Sequence, residues 1–125
     1  MLNYLIVSAG AALGGGLRYW LSNYVYKFLP ASFPYGTLAV NVIGSFILGL
    51  LMFYFDEREM LSNSFKLFLA VGFCGGFTTF STFSFETLNL LKDSEIFLGI
   101  LNIITNLFFC LAGVLAAYFL SKSIG

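Results

Sequence analysis

Apolar residues run along this chain in four long blocks separated by short polar links. The blocks cover residues 4–26, 36–55, 65–91 and 96–120. Each is long enough to cross a hydrocarbon core, which takes ~20 apolar residues in an α-helix. The links are residues 27–35 (with Pro30 and Pro34), 56–64 and 92–95. The pattern predicts an all-α integral membrane protein of four transmembrane helices. One domain spans 1–125, with nothing left over for a soluble domain. The second and fourth blocks carry no charge, whereas Arg18 lies late in the first and Glu86 late in the third.

Composition agrees with the pattern. Hydrophobic residues make up 59% of the chain and charged ones 10%, where a soluble domain carries about 25% charged residues. A mean hydropathy of +0.92 leaves too few polar side chains to cover a water-facing surface. A soluble globular domain and a disordered tail are excluded. The net charge of zero and the absence of a basic run argue against a nucleic-acid partner. There is no histidine, hence no common metal ligand or proton shuttle. Cys74 and Cys110 both sit in apolar stretches and read as small hydrophobes, not as a disulfide or a zinc site. No nucleophile has a base beside it, so an enzyme is not expected. The first block is not read as a cleaved signal peptide. Its opening residues carry no positive side chain, and it runs on into Leu17-Arg18-Tyr19-Trp20.

Four crossings place both termini and the second link on one side of the membrane, with Arg58, Lys66 and Lys122. Arg18, Lys27 and Lys92 fall on the other side. Lys and Arg bias in short loops sets orientation, and here three stand against three. Either folding or one dominant residue decides the orientation, or copies insert both ways and pair antiparallel. Small residues recur four apart at Gly10 and Gly14, Ala12 and Gly16, Ser45 and Gly49, Gly72 and Gly76, and Gly113 and Ala117. Such pairs let helix backbones approach closely in lipid. They serve packing within one copy, and there are enough of them for a dimer interface as well.

Polar residues form stripes at membrane depth. Thr37, Asn41, Ser45 and Gly49 share one face of the second helix, and Asn102, Asn106, Cys110 and Gly113 nearly share one on the fourth. An asparagine in a membrane must find partners. Two readings are open: the amides hold helices together, or they line a wetted path. In the third block, Val71-Gly72-Phe73-Cys74-Gly75-Gly76 runs into Phe77-Thr78-Thr79-Phe80-Ser81-Thr82-Phe83-Ser84-Phe85-Glu86. Two adjacent glycines followed by a Thr/Ser run predict a broken helix near the centre of this block. A break there is tolerated only where the freed backbone is buried in protein or lines a cavity. Freed carbonyls suit a monovalent cation, and the hydroxyls of Thr78, Thr79, Ser81, Thr82 and Ser84 supply donors on the next turns. Phe77, Phe80 and Phe83 follow at spacings of three. The positive ring edges of Phe80 and Phe83, beside hydroxyl and amide donors, suit a small anion. With no lysine or arginine at mid-span, the pattern favours rapid passage over tight binding. Arg18 reads either as a snorkelling residue or as a vestibule charge that gathers anions. Glu86 reads as a pore-mouth or structural partner, and the two charges are placed to pair or to share a network.

Three segments carry a family resemblance: Gly14-Gly15-Gly16-Leu17-Arg18-Tyr19, Gly36-Thr37-Leu38-Ala39-Val40-Asn41-Val42-Ile43-Gly44-Ser45-Phe46, and the run from Gly72 to Glu86. Together they resemble the CrcB/Fluc fluoride channels, end to end and in four-span layout. The resemblance implies an antiparallel, dual-topology homodimer in the bacterial plasma (inner) membrane, with the lipid bilayer and a second copy of itself as partners. Two pores, each using residues of both copies, would export fluoride passively from the cytoplasm. Asn41 matches the family's pore-lining asparagine, Phe80 and Phe83 its paired pore phenylalanines, and Ser81 and Thr82 its hydroxyl positions near the ion track. Thr79 joins them as a pore-side hydroxyl. Gly75 and Thr78 match the backbone-carbonyl positions of a structural sodium ion (Na+) at the dimer centre. Arg18 and Glu86 close the first and third motifs as vestibule or network charges. The fourth helix departs from the pattern: Asn102, Asn106 and Cys110 stand where the family often offers tyrosine and serine or threonine. Asn102 and Asn106 are therefore carried as candidate pore lining. The competing reading, a proton-coupled exporter like the small multidrug-resistance proteins, needs an acid in the first span, and that span has none.

Overall fold

A computed structural model describes residues 1–124 of the chain. Among them there is no strand. The helices are α1 (Leu2–Val25), α2 (Tyr35–Asp56), α3 (63–77), α4 (Phe80–Lys92) and α5 (Ile96–Ile124). Three helical segments are long and apolar enough to cross a membrane: Tyr35–Asp56, Asn63–Lys92 and Ile96–Ile124. The 24 residues of α1 are helical but less apolar, diluted by Ser8, a glycine run, Arg18 and Asn23. Residues Leu51–Asp56 of α2 and Leu67–Cys74 of α3 wind with the wider π-helical turn.

Glycines decide which helices touch. A Cβ on Gly10 or Gly14 of α1 would run into the carbonyl oxygens of Phe68 or Phe73, and one on Gly76 into that of Ala11. At Gly72 it would lie 2.6 Å from the Val7 oxygen. The two ridges of glycine interlock, so α1 and α3 meet backbone to backbone, the close approach that small residues permit in lipid. On the other flank, Gly49 of α2 faces Ala117 of α5, where a Cβ would come 2.7 Å from the alanine's. Four of the five small-residue pairs thus contribute to packing within one copy. Ala12 and Gly16 stay exposed, and nothing lies within 4 Å of a Cβ placed on Gly16.

The links are closed by local chemistry. Glu59 and Ser94 take left-handed backbone conformations (φ 56° and 64°). At the end of α4, the Glu95 N–H reaches the Leu90 oxygen at 2.8 Å and the Ser94 N–H reaches Leu91 at 3.2 Å, a Schellman closure. The Met60 N–H to Phe55 oxygen bond (2.9 Å) does the same after α2. Arg58 then ties α2 to α5. Its Nη1 donates to the carbonyls of Phe53 (3.1 Å) and Tyr54 (2.9 Å), and its Nη2 to that of Ser121 (2.9 Å). Among the described residues one ion pair forms, Lys66 with Asp56 at 2.8 Å.

The third block is interrupted, but just past the glycine pair where the sequence suggested it. Gly75 is helical (φ −63°, ψ −38°) and faces open space, while Gly76 beside it belongs to the ridge facing α1. The extended residues are Thr78 (φ −92°, ψ 160°) and Thr79 (φ −153°, ψ 115°). The expected row of three phenylalanines is cut in two by this step. Phe77 stays with α3, stacked on Phe73 at 5.5 Å, while Phe80 and Phe83 pair on α4 at 5.3 Å.

The glycine ridge gives a direct prediction. Gly76→Ala forces a Cβ against a backbone oxygen and should lower stability by about 1–3 kcal/mol, the usual cost of overpacking. Gly16→Ala, which meets open space, should leave stability unchanged. Thermal unfolding of both purified proteins in detergent measures the difference.

Candidate functional site

Two residues of α2 hold the break in place. Gly44 leaves room for Thr78, whose methyl a Cβ there would strike. One turn earlier, Asn41 pairs with the Thr79 peptide as another peptide would. The Asn41 Oδ1 accepts from the Thr79 N–H at 2.7 Å, and the Asn41 Nδ2 donates to the Thr79 carbonyl at 3.1 Å. The Thr79 side chain caps α4, accepting from the Thr82 N–H at 3.1 Å while donating to the Thr82 hydroxyl at 3.0 Å.

The polar groups continue into a chain that crosses three helices. Asn41 Nδ2 also donates to Asn106 Oδ1 (3.2 Å). Asn106 Nδ2 donates to the Asn102 side-chain oxygen (2.9 Å) and carbonyl (3.0 Å). Asn102 Nδ2 reaches the Thr87 hydroxyl at 2.9 Å, which donates to the Phe83 carbonyl at 2.8 Å. Asn102 is 0% exposed and Asn106 4%. An amide has two N–H donors, so Asn41 and Asn106 each spend both inside the chain.

Around the break lies an open groove of about 330 Å³. Asn41, Gly75, Thr78, Thr79, Phe80, Phe83 and Asn106 line it, together with Ser45 and the thiols of Cys74 and Cys110. No lysine, arginine or carboxylate does. Phe83 is buried and Phe80 is 73% exposed, with the two rings inclined at 51°. Ser81 and Thr82 follow on the first turn of α4, Ser81 exposed and Thr82 half-buried. The hydroxyls of Thr78 and Ser84 are turned back to the carbonyls of Cys74 (2.8 Å) and Phe80 (3.0 Å).

The break also sets the local field. The carbonyl end of α3 carries partial negative charge and the amide end of α4 partial positive charge, and both open at the groove. The N–H groups that would normally cap the Gly75 and Thr78 carbonyls four residues back belong to Thr79 and Thr82. Both are turned to side-chain oxygens instead, Asn41 Oδ1 and Thr79 Oγ1. Two main-chain oxygens thus lose their helical donors, and Gly75 is exposed with open space where its side chain would be. Neutral carbonyl oxygens without a carboxylate fit a monovalent cation in donor chemistry. Two oxygens are few for one ion.

Arg18 and Glu86 do not meet. Arg18 Nε donates to the Gly76 carbonyl at 3.0 Å, binding α1 to the last turn before the break. Glu86 stands away from it, against Thr37 and Tyr26, on the wall of a second cavity of about 420 Å³. Its Oε1 is buried without a partner among the described residues. Sequence reasoning missed two members of the assembly, Gly44 and Thr87, whereas Ser45 stood in the polar stripe of the second helix. Gly44 lay within the motif from Gly36 to Phe46, whereas Thr87 carried no signal of its own.

Long apolar helices around a lined break in the backbone define a multi-pass membrane protein with an aqueous-sized groove at mid-helix. Residues 5–118 match the family model described as CrcB-like protein, Camphor Resistance (CrcB). The chain belongs to this family, which comprises ion channels and not enzymes. A protein of Magnetococcus marinus named Fluoride-specific ion channel FluC is 49% identical over 112 residues, covering 90% of this chain and 89% of that protein. A Geobacter sulfurreducens protein of the same name is 42% identical over 124 residues, covering 99% of this chain and all of its own. One from Clostridium perfringens is 46% identical over 107 residues, covering 86% and 84%.

If the amide chain holds the break, truncating it should cost stability even with no ligand bound. Asn41→Ala strands the Thr79 N–H and carbonyl, and Asn102→Ala strands Thr87 and Asn106. Each should destabilise by about 1–3 kcal/mol, the cost of leaving buried polar groups unpaired. The double variant should lose less than the sum, because the two share one network. Melting temperatures of the three proteins read this out.

Proposed function

We propose that this chain is a fluoride-selective channel that releases cytoplasmic fluoride passively across the bacterial plasma membrane. The observation that carries the reading is the match, over most of both chains, to relatives named fluoride-specific ion channels. The groove residues suit that role. A small anion leaving water needs replacement donors and positive ring edges that hold it weakly enough to let go. The Phe80–Phe83 pair, the hydroxyls of Ser81 and Thr82 and the amide end of α4 supply these. Asn41, Thr79, Asn102 and Asn106 act in this reading as the frame of the path. Arg18, anchored at the break, adds positive charge to the approach.

In the working assembly α1 is the fourth crossing, and two copies of the chain lie antiparallel in the membrane with two pores between them. The even split of Lys and Arg between the two sides supports a homodimer inserted in both orientations. The exposed Phe80 ring supports a partner surface there. The Gly75 and Thr78 carbonyls of both copies would hold a structural sodium ion, whose charge offsets the facing carbonyl ends of the two broken helices. Glu86 is a pore-mouth group beside Thr37.

Purified protein in liposomes loaded with potassium fluoride tests the reading. Adding a potassium ionophore should release fluoride rapidly, as read by a fluoride electrode, and chloride-loaded vesicles should release little. Phe80→Ile or Phe83→Ile should slow fluoride release by at least about tenfold, the worth of one lost charge-assisted contact, while the protein still elutes as a folded dimer. Equal release of fluoride and chloride would refute selectivity, and full rates in both variants would remove the rings from the path.

A further inference from the structure

With every N–H of Asn41 committed to Thr79 and Asn106, the second helix must offer a passing anion something else. One turn further along the same face stands Ser45, on the wall of the groove that also holds Phe80 and Phe83. A serine inside a membrane helix ordinarily returns its proton to the carbonyl four residues back. Thr78, Ser84, Thr87, Thr105 and Ser121 do this here. Ser45 makes no such bond among the described residues. The polar group beside it is the Cys110 thiol of α5, a weak donor and a weak acceptor. Bonded to that thiol and to no backbone carbonyl, its hydroxyl is the group on the groove face of the second helix best able to exchange its partner for an anion.

Resting on the channel reading above, we propose that Ser45 is an anion-contacting residue. Its hydroxyl, with the Cys110 thiol as the second donor, forms a fluoride subsite one turn beyond Asn41. Asn41 is accordingly a positioning residue that holds the broken backbone and does not donate to the ion. The subsite suits transit. A single hydroxyl and a thiol exchange their hydrogen bonds without dismantling the fold, whereas an asparagine contact would first have to release the Thr79 peptide. The neighbouring groove wall is apolar (Leu48, Ala70, Leu107), so a hydroxyl there has few competing partners.

The test is the fluoride dependence of initial flux in proteoliposomes for the wild-type chain, Ser45→Ala and Ser45→Thr, with a thermal melt of each. Ser45→Ala should raise the half-saturating fluoride concentration about tenfold, the worth of one hydrogen bond to a charged partner, with its melting temperature unchanged. Ser45→Thr, which keeps the hydroxyl, should stay near wild type. An unchanged half-saturating concentration in Ser45→Ala overturns the subsite. So does a fall in maximal rate alone in both variants, since that is what a packing role would give. If the wild-type chain itself passes no fluoride, the channel reading fails and the subsite falls with it. That result is distinct from a conducting wild type with an indifferent Ser45→Ala.

Discussion

The structure depends on one side chain standing in for a peptide. Breaking a helix at membrane depth exposes main-chain groups that lipid cannot satisfy, at a cost of several kcal/mol each. Asn41 meets that cost with its amide, which has the same donor and acceptor as the backbone it pairs with. Aspartate would lack the donor. Leucine would lack both groups. Because Asn41 is itself held by Asn106, and Asn106 by Asn102, the geometry of the break is set by three helices at once.

From that constraint the remaining features follow. A broken helix has two new ends, and their partial charges are opposite. The carbonyl end gathers Gly75 and Thr78, whose helical donors have been drawn away; the amide end opens at Phe80 beside the paired rings. The proposed cation corner and the proposed anion path are therefore neighbours for one physical reason. Close approach between α1 and α3 keeps the first of these ends in place. Glycine faces carbonyl along the whole interface, and Arg18 fastens the last turn through the Gly76 oxygen.

Much of this was legible in the residues. Length and apolarity alone gave the helical membrane fold, and the run from Gly72 to Glu86 marked a helix that could not continue. The residue at which it breaks was not legible. Gly75 and Gly76 looked like the weak point, but glycine in a helix is also how two backbones come into contact, and only the partner helix shows which use applies. The polar stripes were legible as stripes and ambiguous as chemistry. Periodicity puts Asn41 and Ser45 on one face, yet it does not say that the amide is consumed by a backbone and a neighbouring amide while the hydroxyl meets only a thiol. The same limit hid Thr87, a lone threonine whose importance comes from Asn102, 15 positions away. Arg18 and Glu86 likewise shared a side of the membrane on paper, although the fold gives them different partners.

The most direct test of the account is electrical. The chain, purified alone and fused into a planar bilayer, should give discrete, sustained currents in symmetrical fluoride that vanish when chloride replaces it and do not respond to a proton gradient. Currents of equal size in chloride, or fluoride movement that requires a proton gradient, would contradict a passive path built on ring edges and hydroxyls at a broken helix.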